Sequence, residues 1–281
     1  MNRILCIAAV LLSFIFSGCA TLEKQAFNRQ VNTAITKIVI LEPAPSTGFG
    51  VVVANHPALA FGLIGASIYT VEMSAKSNSL DRVMKPLNWS LSADLAQELA
   101  SELTAVGYQV SRAKVKRDGF DLLSSYKAIV PLDGVLDGAD AYLDVATRDP
   151  LYIANSPTAD YLPSLALSAR LISVKDQTLL YREDFNYGFA AQGRHQPIII
   201  SAGATHRYPS HDDLLKSPET TLSGVKDGVA ILAKRIAADL AQNKVSPVTL
   251  LPAAPNVAIP TAAAASTNQA IIEPDKVVAP K

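Results

Sequence analysis

Leu91, Leu95, Leu99 and Leu103 stand four residues apart, and Val106 extends the same line. Residues so spaced share a face in an α-helix, and an apolar face of that kind must be buried against a partner layer. The ends agree. Ser90 or Ser92 can cap the start, Asp94 suits the first turn, and Gly107 fits the left-handed position after the last turn. A second stripe follows Ser217-Pro218-Glu219, a cap with proline at the first helical position. It runs through Leu222, Val225, Val229, Leu232, Ile236 and Leu240, with Lys234 and Arg235 near its end to complement the helix dipole.

The residues before and between the two stripes supply the sheet. Residues 38–41 are an Ile/Val/Leu run stopped by Pro43, the pattern of a buried, central strand. Residues 108–110 begin another, which gives a strand–helix–strand unit. Ala139, Ala141, Leu143 and Val145 alternate with Asp140, Tyr142 and Asp144, as in a half-buried strand with solvated carboxylates. Leu165, Leu167, Ala169 and Leu171 alternate with Ser168 and Arg170. After a turn at Lys175-Asp176-Gln177-Thr178, Leu179, Tyr181, Phe185 and Tyr187 alternate again, so the two runs predict an antiparallel hairpin. Glu183 falls on the apolar side and calls for an edge, a bulge or an ion pair. Arg112, Lys114, Lys116 and Arg117 form a basic run, read as a solvated face or edge strand, with a lipid-headgroup contact as the other reading. The expected fold is α/β (α+β): a mixed sheet of about four to five strands with two main packed helices over residues 36–245.

Residues 43–71 carry no formal charge. From Pro57 onward they are dense in Ala, Leu and Ile, with Gly62 and Gly65 inside. One reading is a membrane-touching or pore-forming hairpin, with Phe61, Leu63 and Ile64 as the contact residues. The other is a glycine-rich loop followed by a buried helix. Length favours the second, since a helix needs roughly 20 apolar residues to cross hydrocarbon. Asn55 and His56 interrupt the run.

The amino terminus reads as an address. Arg3 is the only charge in the first 22 residues, and residues 4–16 are almost unbroken apolar sequence. That run is too short to span a bilayer and fits a secretory signal. Phe16-Ser17-Gly18-Cys19 resembles the lipobox of bacterial lipoproteins, with Phe where Leu is usual. The resemblance implies cleavage between Gly18 and Cys19 and palmitate-type lipidation of Cys19, whose thiolate is the strong nucleophile among side chains. Several acyl chains together anchor stably where one binds only marginally. Ala20, rather than Asp, follows the cysteine, and by the rule of that family this implies the outer membrane, facing the periplasm. The chain has two cysteines, Cys6 and Cys19, so a mature chain from Cys19 holds no disulfide and no thiolate metal site. Residues 19–35 read as a tether. Residues 246–281, with six prolines and a four-alanine run, read as a disordered tail.

Chemistry is hard to find. Twenty-five basic residues balance 25 acidic ones, which argues against nucleic-acid binding. His56, His195, His206 and His211 accompany no HExxH or CxxC spacing; His206 and His211, with Asp212 and Asp213, suggest at most a weak surface metal site. Ser111 with Lys114 and Ser223 with Lys226 match SxxK without its usual partner motifs, and no GxSxG, P-loop or GxGxxG occurs. Asp137-Gly138-Ala139-Asp140 lacks the spacing of a calcium loop. The reading is therefore a non-enzyme with no cofactor, no metal and no catalytic residues. A hydrolase acting on envelope glycans would have to use Asp140 and Asp144.

One further resemblance covers roughly residues 36–242. The order is an Ile/Val strand ending in Pro, a long gap and a leucine-striped helix ending in Gly-Tyr. Then come Gly138-Ala139-Asp140-Ala141, the strand Leu165 to Ile172, Leu180-Tyr181 and Phe185-Asn186-Tyr187-Gly188. This resembles the periplasmic α/β domains of outer-membrane lipoproteins related to the curli-secretion channel protein, and the N-terminal domain of the Tol propeller protein. Those domains serve assembly, secretion or transport, and the resemblance carries no catalytic residues over. With the anchor and the lack of catalytic groups, the expectation is a non-enzymatic lipid-anchored envelope protein that binds another protein, an envelope protein partner, or an envelope polymer; the alternative is a secretion-pore subunit in which residues 43–71 contact the membrane. A homo-oligomer fits either.

Overall fold

The computed structural model describes residues 24–189 and 196–241. Cys19 and Gly18, the tail and His195 lie outside those residues. The described chain is mixed α/β, with strands β1 (Lys37–Leu41), β2 (Gly50–Val53), β3 (Gln109–Val115), β4 (Pro131–Asp133), β5 (Ala141–Thr147), β6 (Leu151–Ala154), β7 (Leu162–Ser173), β8 (Leu179–Tyr187) and β9 (Ile198–Ile200). Four α-helices accompany them: α1 (Gly62–Met84), α2 (Leu91–Ala105), α3 (His211–Lys216) and α4 (Pro218–Ala241). The nine strands exceed the expected four to five, because the four short ones, β2, β4, β6 and β9, offer too few residues for a visible period.

β7 organises the sheet. Its second half pairs with β5 on one side, its first three residues pair with β6 on the same side, and β8 runs along the other side. Thus β6 continues the line of β5, and β2 pairs with β6 as β1 pairs with β5. The register makes every strand except β4 and β7 run in one direction. β1 lies between β3 and β5, parallel to both, as its continuous apolar run requires.

One face of the sheet carries the main core. Ile38, Ile40, Leu143 and Val145 meet Leu95, Leu99 and Leu103 of α2 and Val225, Val229, Leu232 and Ile236 of α4. All six α4 stripe residues are buried, and Leu99 is 0 % exposed. Ser90 caps α2 by accepting from the Ala93 N–H, and Gly107 takes φ +94° after its end. The predicted hairpin is β7–β8, and Glu183 on its apolar side is held by Lys24 Nζ at 2.7 Å.

Two expectations are corrected. β5 is buried along both faces, not half-buried, because the segment between β3 and β5 crosses the opposite side and seats Leu123, Tyr126, Ile129 and Leu136 over Val39, Leu41, Ala113, Val115 and Tyr142. The stretch expected as a tether is partly packed: Phe27 is core, Gln25 bridges to Arg182, and the Arg29 guanidinium lies 4.9 Å from the Tyr108 ring centre.

Candidate functional site

The unusual surface grows out of the end of β2. His56 has extended backbone, and its Nδ1 accepts from the Ala58 N–H at 3.2 Å, capping a 3-10 turn, Pro57–Phe61, with proline in its first turn. Gly62, at φ +64°, redirects the chain into α1. The turn then lies against the helix so closely that a Cβ on Gly65 would stand 1.6 Å from the Ala58 carbonyl oxygen. No residue but glycine fits there.

α1 runs back along β2. Its carboxyl half is a working part of the fold, with Met73, Leu80 and Met84 buried. Ser77 Oγ accepts from the Val51 N–H at 2.9 Å, and Asp81 Oδ1 from the Phe49 N–H at 3.3 Å. Its amino half runs on past β2, packed against the 3-10 turn at Gly65 and otherwise largely exposed. Phe61 is 75 % exposed, Leu63 91 %, Ile64 75 % and Val71 71 %, with Leu59 and Ile68 also exposed. The buried-helix expectation for residues 57–71 is therefore corrected: of those residues only Gly65 is buried. Ile64, Ile68 and Val71 stand at helical spacing on one side, and Phe61 and Leu63 widen the patch at its tip. Exposed apolar surface of this kind makes the tip the candidate interaction site.

A polar collar rings the foot of the overhang. The His56 and Tyr69 ring centres are 5.4 Å apart. Because His56 Nδ1 accepts from Ala58, its proton sits on Nε2, 3.2 Å from Glu72. Lys76 Nζ lies 2.8 Å from Glu72 and 3.4 Å from the Tyr161 hydroxyl. The hydrogen bond from Lys76 holds the Glu72 carboxyl below its ordinary value. Burial opposes charge on Lys76, but its bonds to Glu72 and Tyr161 outweigh this and raise it. Sequence reading missed the collar, since His56, Tyr69 and Glu72 show no motif; the first charges after a long uncharged run were the available signal.

The remaining candidates are spoken for. Asp144, expected to be solvated, is completely buried. Its Oδ1 accepts from Arg117 at 2.6 Å, and its Oδ2 from the Leu123 N–H at 2.7 Å and the Tyr126 hydroxyl at 2.6 Å. Arg117, read as part of a solvated run, turns inward and also donates to the Leu41 and Glu42 carbonyls. Burial, then the adjacent Asp144 charge, pushes the Tyr126 phenol far above its usual range. Asp140 accepts from the Thr36 and Lys37 N–H groups, both at 2.8 Å, and from the Thr36 hydroxyl. Burial alone would raise Asp140, but these bonds hold it below its ordinary value. The two carboxylates thus fasten backbone and are not free for acid–base work.

His206 is paired with Asp227 at 2.8 Å and His211 faces the Lys76 carbonyl and Ser79, so the structure does not bring the two histidines together as ligands of one ion. Among the described residues no group of three or more His, Cys, Asp or Glu side chains could hold a metal ion. Ser223 Oγ donates to the Thr220 carbonyl, as a helix serine does. Comparison with protein-family models, with characterised proteins and with solved structures finds no match for this chain.

Proposed function

We propose that this chain is a lipid-anchored cell-envelope protein that works without catalysis, as a binding, assembly or transport-accessory factor, and that the overhang of α1 is its membrane contact. On this reading Cys19 carries the lipid at the outer membrane, the folded part faces the periplasm, and a second envelope protein is its partner. The observation that carries the reading is the exposure of an uncharged helix tip above a polar collar.

Two dimensions support it. Residues 62–71 of α1 measure about 15 Å at 1.5 Å per residue, which suits one leaflet of a hydrocarbon core roughly 30 Å thick. The chain enters the fold at Lys24 and Gln25, antiparallel to β8. Lys24 thus lies on the side of Gln25 toward the carboxyl end of β8, the end of the sheet from which β2 leads to the tip. With Phe27 packed, the path from Cys19 to Lys24 spans at most about 18 Å. An anchor so short keeps the body at the bilayer surface, where the tip can enter it. The second reading, a secretion-pore subunit with residues 43–71 against the membrane, uses the same exposed tip and differs in requiring a closed ring of copies. The proposal takes in the resemblance to periplasmic α/β domains of outer-membrane lipoproteins related to the curli-secretion channel protein and to the N-terminal domain of the Tol propeller protein.

The test uses the single tryptophan, Trp89. In the full chain, Trp89→Phe with Ile64→Trp should give emission that brominated acyl chains quench in phosphatidylethanolamine/phosphatidylglycerol vesicles. Unquenched emission at Ile64→Trp would remove the membrane role. Separately, Cys19→Ala should leave unprocessed precursor and abolish labelling by a palmitate analogue.

A further inference from the structure

A second feature lies apart from the tip and does not depend on it. β1 is followed in the sheet by β3 on one side and β5 on the other. The connection from β1 to β3 passes through α2 on the helix face, whereas the connection from β3 to β5 crosses the opposite face. The two connections leave the sheet in opposite directions at the carboxyl ends of β1 and β3. In open α/β sheets a crevice opens at such a switch point, outside the strand ends, and ligands bind in it.

A cleft of about 360 Å³ is present at that place. This falls within the roughly 300–1,000 Å³ of small-molecule sites. Its walls are Pro43 and Pro45 from the strand exit, Val115 from β3, and Phe120 and Leu132 from the crossing segment. The wall that carries Phe120 is pinned, because Arg117 and Leu123 on either side of it are both bonded to the buried Asp144. The cleft is thus built on a rigid floor. Lys114 and Lys116 sit at its rim, and among the described residues neither makes an ion pair within 4 Å. Glu42 also lines it, and Asp133 faces Lys114 across the β3–β4 pair. Arg117 adds no free charge, since Asp144 neutralises it.

We infer that this cleft binds a small anionic amphiphile, an apolar body seated on Phe120, Leu132 and the two prolines, with a carboxylate or phosphate end held by Lys114 and Lys116. The apolar walls supply contact area, and the two ammonium groups fix which end faces outward.

The experiment titrates 8-anilinonaphthalene-1-sulfonate, an anionic aromatic probe, into the full chain carrying Leu63→Ser and Ile64→Ser, so that the tip does not report. Enhanced emission should saturate, and decanoate or decyl phosphate should displace the probe; which displaces better distinguishes a carboxylate from a phosphate ligand. Decanol should displace it at least tenfold less well. Lys114→Gln with Lys116→Gln should weaken probe binding at least tenfold with an unchanged melting temperature, and Leu132→Arg, which blocks the apolar wall, should abolish it. Unchanged affinity in the lysine pair variant, equal displacement by decanol, or a signal that vanishes with the tip substitutions alone would each overturn the inference.

Discussion

α2 and the amino half of α1 are both helical and both carry aliphatic side chains, yet one is core and the other is surface. In α2 the apolar residues recur at four-residue spacing, with Asp94, Glu98 and Glu102 off the stripe, and Leu91, Leu95, Leu99 and Leu103 are all buried. In residues 57–71 no charged residue marks an outward side, and Phe61, Leu63 and Ile64 are exposed. Apolar content alone therefore does not say what a helix packs against. The polar side tells more: a helix with two faces is built to lie between a core and water, while one with no polar face suits burial on all sides, in a core or outside its own fold.

The interior side of this comparison breaks hardest at Asp144. Asp144→Ala leaves the Arg117 guanidinium buried without its carboxylate and strips the hydrogen bonds of Leu123 and Tyr126, and should cost about 3–5 kcal/mol. Urea unfolding measures it; a loss under 1 kcal/mol would mean that water replaces the carboxylate. Leu99→Ala comes next, at about 2–5 kcal/mol for a fully buried leucine. The matched change at the tip, Leu63→Ala, should alter stability by no more than about 0.5 kcal/mol, as surface substitutions do. Glu98→Ala, off the stripe of α2, should cost well under the Leu99 value. Equal effects from Leu99→Ala and Leu63→Ala would show the tip to be packed and would end the comparison.

Gly65→Ala is a smaller but more local break. The added methyl meets the Ala58 carbonyl, so the 3-10 turn must lift from α1, at a cost of about 1–3 kcal/mol for overpacking. Hydrogen exchange at the Leu59 amide, which donates to the His56 carbonyl, should speed up while the amides of α2 stay protected. Unchanged exchange at the Leu59 amide in Gly65→Ala would contradict the close approach.

Much of the core was legible because local periodicity carries it. The α2 stripe with its Ser90 cap, the α4 stripe after Ser217 and the turn between β7 and β8 each depend on residues within one or two dozen positions of each other. What was hidden depends on contacts far apart in the chain. Asp144 looked solvated because its strand alternates, and only the crossing segment with Arg117 and Tyr126, 27 and 18 residues away, turns that polar side into a second interior. The tip was half legible: the charge-free run and Phe61, Leu63 and Ile64 stood out, but α1 continues through Glu72 and Lys76 to Met84, past the point where the uncharged run stops. The carboxyl half carries mixed charge and a narrow buried line, Met73, Leu80 and Met84, which a stripe search passes over. Hence a loop followed by a buried helix became an exposed tip on a helix seated only at its far end.

The smallest effect is expected at the collar, where the exposed tip joins the buried half of α1. Glu72 is folded with its carboxyl below the ordinary value of 4.5, chiefly through the hydrogen bond from Lys76. A lowered carboxyl contributes stability that is fully present above 4.5 and is lost as pH falls through the lowered folded value. Lys76 is raised above 10.5, so its contribution is present below 10.5 and is lost as pH climbs through the raised value. Between those limits Glu72 and Lys76 both keep their charges and their pair is complete. The Glu72 side chain is 40 % exposed, so solvent screens the pair and its effect on global unfolding should be slight. Carbon-13 titration of the Glu72 carboxyl reads it directly, with a midpoint expected below 4.5. Lys76→Met removes the first cause and should move that midpoint upward, leaving the weaker pull of His56. An unmoved midpoint would assign the depression to His56 instead, and with it the job of holding the tip to the fold.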